Sequence, residues 1–168
     1  MYKVLCKVLL ISLSIFSTNS LLAQGDDVIR QTGCDIKAYQ QTIDSLKTIF
    51  NTNGYSVLRE AAINMESEYE MPIILPMSEG SMYQIVFVGD PTSKLYEVRM
   101  YDWNERQVVY KKNMWGDVDG NVISYSYIPK FTEYHMIKPL QVNKGKKKLC
   151  GYILLLKKNP PAPGAVIK

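Results

Sequence analysis

A single histidine, His135, occurs in 168 residues, and this narrows the chemistry open to the chain. No His pair can ligate a metal, and a Ser-His-Asp triad would have to run through this one imidazole. No Gly-x-Ser-x-Gly elbow accompanies it. Along Glu133, Tyr134, His135 and Met136, side chains alternate across a strand. We read Tyr134 and Met136 as inward, which puts His135 on the surface. A second constellation is Asp117, Asp119 and Asn121 around Gly120, oxygen ligands at alternate positions, as a calcium loop begins. No bidentate Glu follows at the required distance, since position 128 is Ile, so an Asp-Gly hairpin turn is the preferred reading and calcium the weak alternative. No cofactor is expected. Glu66, Glu68 and Glu70 form an acidic row facing solvent, and the lysines from Lys144 to Lys148 a solvated loop tip.

The aromatic residues offer more. Tyr101, Trp103 and Trp115, with Tyr125 and Tyr127 nearby in sequence, could stack on sugar rings or anchor a protein partner, because such side chains combine a large apolar face with a polar edge. The expected binding residues are Tyr101, Trp103 and Trp115.

These residues must be carried by an exported domain. Residues 1–23 have the parts of a secretory signal peptide: Lys3 and Lys7, an apolar run from Val8 to Phe16, and Leu21-Leu22-Ala23 before Gln24. The run is too short to span a membrane, so no transmembrane span is expected in the mature chain. Losing Lys3 and Lys7 lowers the net charge from +4 to +2, which is no footprint for nucleic acid. Cys6 leaves too, and the remaining Cys34 and Cys150 are expected to pair in an oxidising compartment.

The positioning elements are mainly strands. Residues 24–34 are a polar, flexible lead-in, and residues 35–158 one domain. Asp35 is placed as N-cap of an amphipathic helix carrying Ile36, Tyr39, Ile43, Leu46, Ile49 and Phe50, closed at Gly54. A helical turn to about Glu60 and extended chain after it are expected next. The Pro-interrupted run Tyr69 to Met77 is an edge strand. Met82 to Val88, apolar on both faces, is a covered strand. Leu95 to Trp103 turns Tyr96, Val98 and Met100 inward, and Arg106 to Tyr110 follows a tight Asn104-Glu105 connection. Strands around Ile123 to Tyr127, Thr132 to Leu140 and Leu149 to Leu156 complete the set, the last expected to be central by composition and followed by a Pro-rich tail, 159–168. Closely spaced strands with turn signals between them argue for a mainly β fold: an antiparallel, jelly-roll-like β-sandwich with one N-terminal helix packed on it.

Three segments carry a likeness to known domains: Gly80-Ser81-Met82-Tyr83-Gln84-Ile85-Val86, Arg99-Met100-Tyr101-Asp102 and Gly151-Tyr152-Ile153-Leu154. Over residues 70–157 the chain resembles bacterial pre-peptidase C-terminal domains and related GOLD-type β-sandwiches. The resemblance implies a non-catalytic accessory or adhesive module and assigns no functional residue. The expectation is therefore a non-enzymatic module in the periplasm or cell envelope, partnered by an envelope protein or glycan. A structural envelope component, or a small hydrolase using His135, are the alternatives.

Overall fold

The computed structural model describes residues 29–160. Residues 1–23, expected to be a signal peptide, and most of the Pro-rich tail lie outside them. Nine strands follow in order: β1 (Ile29–Thr32), β2 (Tyr55–Glu66), β3 (Ile73–Met77), β4 (Tyr83–Val88), β5 (Leu95–Tyr101), β6 (Gln107–Met114), β7 (Val122–Tyr127), β8 (Glu133–Val142) and β9 (Lys148–Lys158). They form a five-stranded sheet, β1-β2-β9-β4-β7, and a four-stranded sheet, β3-β8-β5-β6. From β2 to β9 the chain crosses between the sheets at every connection except the β5–β6 hairpin, which is the jelly-roll arrangement of a β-sandwich. Every pairing is antiparallel except β1 on β2.

The two-sided apolar pattern of β4 explains the layering. All six of its residues are buried, so it needs cover on both faces. Tyr83, Ile85 and Phe87 face the four-stranded sheet in a core with Leu75, Tyr96, Val98, Met100, Ile137 and Ile153. Val86 and Val88 face the other way, with Leu154 and Leu156, under Tyr39, Ile43, Leu46 and Phe50 of the helical segment. Each fully buried apolar side chain contributes about 1.5–3 kcal/mol. Gly151, inside β9, is set by this packing: a Cβ there would lie 2.7 Å from Met65 Sδ and 2.8 Å from the Phe87 ring.

The helix covering the five-stranded sheet begins later than its apolar pattern implies. A 3₁₀ turn (Lys37–Tyr39) leads into α1 (Gln40–Thr52). Asp35 does not cap the helix; its Oδ1 accepts the Lys37 N–H at 2.9 Å, closing a local turn. A disulfide joins Cys34 to Cys150 of β9, with Cα atoms 5.9 Å apart, and fastens the start of this layer to the sheet. Beneath the helix, buried Glu60 of β2 is met by Lys47 of α1 and the Tyr152 hydroxyl.

Three expectations are corrected. Residues 29–32 of the lead-in form β1, paired with Arg59 to Ala62. The helical turn expected from Tyr55 to Glu60 is strand, because β2 pairs with β9 from Tyr55↔Lys158 to Glu66↔Lys148; ladder bonds along twelve residues override local helix preference. On β8 the faces are reversed. Tyr96, Val98 and Met100 of β5 point inward, so their direct partners Gln141, Pro139 and Ile137 do as well. His135 shares that face and is 1% exposed, whereas Tyr134 is 54% exposed. A shift of one residue exchanges every side chain between faces.

Candidate binding recess at the Trp103 end

Because successive strands from β2 to β9 run in alternating directions, the connections collect at two ends of the sandwich. One end carries the β3–β4, β5–β6 and β7–β8 loops, the other the β2–β3, β4–β5, β6–β7 and β8–β9 loops. Trp103 follows β5 and Trp115 follows β6, so the antiparallel pair puts them at opposite ends. With eight residues in β6, the separation is about 25 Å. The residues expected to share a site are therefore divided. Both tryptophans are exposed, at 69% and 72%. Tyr101 is half-buried, its ring beneath the Lys138 ammonium at 5.0 Å.

The aromatic neighbour of Trp103 is Tyr134, with ring centroids 6.2 Å apart and planes inclined at 46°. The inward assignment of Tyr134 concealed this partner. The phase carried by Ile137 and its partner Met100 would have exposed it.

Asp102 builds the turn that presents Trp103. Its Oδ1 accepts the Asn104 and Arg106 N–H groups at 3.0 and 2.9 Å, and its Oδ2 accepts Arg106 Nε at 2.8 Å. Its own N–H donates to Arg106 O at 3.0 Å. Glu105 completes the turn in the left-handed region, φ 58°. The Arg106 backbone N–H, together with the Arg106 guanidinium, outweighs desolvation and holds the Asp102 carboxyl below the usual carboxylate range.

Beside Trp103 lies an open recess of about 660 Å³, lined by Pro76, Met77 and Ser78 at the end of β3 and by Thr132, Glu133 and Tyr134 at the start of β8. Thr132 Oγ1 accepts the Glu79 N–H at 3.0 Å, and the Ser78 N–H donates to the Tyr83 hydroxyl at 2.9 Å. A second depression, of about 410 Å³, also bordered by Glu133, is walled by Asp102, Arg106, Gln107, Tyr127, Ile128, Lys130 and Phe131. Behind Glu133, buried His135 places Nε2 3.2 Å from the Tyr127 hydroxyl and 3.6 Å from Glu133 Oε1. Burial, followed by the Glu133 and Asp102 carboxylates, pushes the Tyr127 phenol above its ordinary range. His135 is thus a core residue behind the site rather than the surface residue expected.

The Asp117 turn is committed to its own folding. Asp117 Oδ2 accepts the Met114 N–H at 2.6 Å, and Asn121 Nδ2 donates to Gly89 O at 2.7 Å. Among the described residues no group of three or more His, Cys, Asp or Glu is placed to hold a metal. Nor is any helix among them long and apolar enough to cross a membrane.

No protein-family model matches the chain, and no curated protein does. Solved structures do match. Tripeptidyl peptidase 2 is 10% identical over 60% of this chain and 9% of its own, with a TM-score of 0.43. A subunit of the disulfide-linked pili of Bacillus endospore appendages is 8% identical over 62% of this chain and 88% of its own, at 0.38. The CBM22-1–GH10 modules of Clostridium thermocellum xylanase 10B are 11% identical over 68% of this chain and 28% of theirs, at 0.35. The chain thus spans only a small part of the peptidase and of the xylanase modules.

Proposed function

We propose that this chain is a non-catalytic binding module, exported to the cell envelope, which engages an envelope protein or glycan at the Trp103 end. The observation carrying this reading is the Trp103–Tyr134 pair, two large aromatic rings held in the open beside a recess by a turn with five hydrogen bonds that involve Asp102. Holding such apolar surface in water is unfavourable unless a ligand covers it. The Cys34–Cys150 disulfide supports an oxidising compartment, as does the secretory pattern of residues 1–23. The resemblance to pre-peptidase C-terminal domains implies the same accessory role.

Retention of the purified chain on envelope preparations tests the proposal. The doubly substituted Trp103→Ala, Tyr134→Ala chain is expected to bind about tenfold more weakly or worse, the loss usual for a central aromatic anchor. The same retention in both chains would remove the recess from consideration.

A further inference from the structure

Resting on that reading, we propose that the ligand is a neutral glycan chain, one sugar ring stacked on Trp103 and Tyr134 and the next lying across Glu133. Four observations select this class. Glu133 is the only charged side chain lining the Trp103 recess, and a lone carboxylate repels phosphates, uronates and nucleic acid. Hydroxyl chemistry surrounds the rings: Thr132 Oγ1 already accepts the Glu79 N–H, so its hydrogen can be donated outward, and Ser78 supplies a second hydroxyl. Sugars present apolar ring faces bordered by hydroxyls, which matches aromatic faces bordered by hydroxyls and a carboxylate.

The other two observations disfavour a protein. The recess and the depression beside it are lined by fifteen residues together, short of the roughly 20–30 on each side of a stable protein interface. An extended peptide would add to the free edge of β3, but Pro76 lies within that strand and removes a backbone donor from it. The second depression, sharing Glu133, offers Phe131 as another ring and Gln107 as a donor, and its cations Arg106 and Lys130 are matched by the Asp102 and Glu133 carboxylates, so it extends the site beyond one sugar without adding net charge.

The experiment uses the full chain on envelopes that have been delipidated and exhaustively digested with protease, at low salt and at about 0.5 M salt, where charge attraction is screened. We expect retention after digestion and indifference to salt. Trp103→Ala should lose about tenfold or more, while Trp115→Ala, at the opposite end, should bind as the parent does. Trp103 is exposed, so its replacement leaves the fold intact; Tyr134→Ala provides a second route to the same loss. Trp103-dependent retention that disappears on protease digestion, or falls steeply with salt, would overturn the neutral-glycan assignment while leaving the binding module standing. Retention unaffected by Trp103→Ala on undigested envelopes would overturn both.

Discussion

Asp90 shows how much of the molecule rests on single polar side chains. It is buried at the β4–β5 turn, where Lys146 Nζ donates to Oδ2 at 2.7 Å and Thr92 donates to Oδ1 through both its N–H and its hydroxyl. Burial pushes its carboxyl up, but the bonds from Lys146 and Thr92 outweigh it and leave the group below its ordinary value. A carboxyl depressed in the folded state stabilises the fold above its unfolded pKa of about 3.9, and that stabilisation is lost as pH falls through the folded value. Asp102 contributes in the same sense. The melting temperature should therefore fall steeply below about pH 4. Asp90→Asn should cost about 1–2 kcal/mol at neutral pH and flatten that acid limb, both measurable by thermal denaturation across pH. A parent-like acid limb in the variant would assign the acid sensitivity elsewhere. Lys146, placed by sequence in a solvated tip, is in fact the cation of this pair; the partner was hidden because it comes from another loop.

At the scale of elements, the Cys34–Cys150 link and α1 form a removable layer. The disulfide closes a loop with a sequence separation of 116, for which loop-closure entropy gives about 4–5 kcal/mol. The helix contacts mainly β2 and covers Val86, Leu154 and Leu156. Cys34→Ser with Cys150→Ser should lower stability by about 2–4 kcal/mol in denaturant titration and raise hydrogen exchange in α1 before β4 or β9. Uniform exchange loss would show that the layer and the sandwich unfold together. The helix, the disulfide and the doubly covered β4 were all legible in sequence because each rests on local pattern or residue count. The phase of β8 was not. Tyr134 and Met136 alternate as plausibly as His135 and Ile137, and only the pairing with β5 decides between them. That phase moved Tyr134 into the site and His135 out of solvent, so the error at the site was a strand-register error rather than a chemical one.

For the whole molecule, class and layering followed from strand spacing and turn signals, whereas strand order required the three-dimensional pairing. Trp103 and Trp115 looked like members of one surface because they are close in sequence; a hairpin arm separates them. The last strand bears the most on how the sandwich is completed. β9 lies between β2 and β4 and pairs with both, although it comes last of the nine strands among the described residues. A chain emerging from its amino terminus has β2 and β4 long before the strand that joins them. Until β9 arrives, the five-stranded sheet lacks its middle and Cys34 lacks its partner. Assembly is therefore a late, cooperative event with a long wait for closure, the regime in which β topologies fold in milliseconds to seconds. A chain ending at Asn143 should remain unfolded by circular dichroism, and adding the missing β9 as a separate peptide should restore the sheet. The waiting chain exposes two unpaired strand edges, so its hazard is association with its own copies. Cells making this protein would need to keep it apart from other copies until β9 is released.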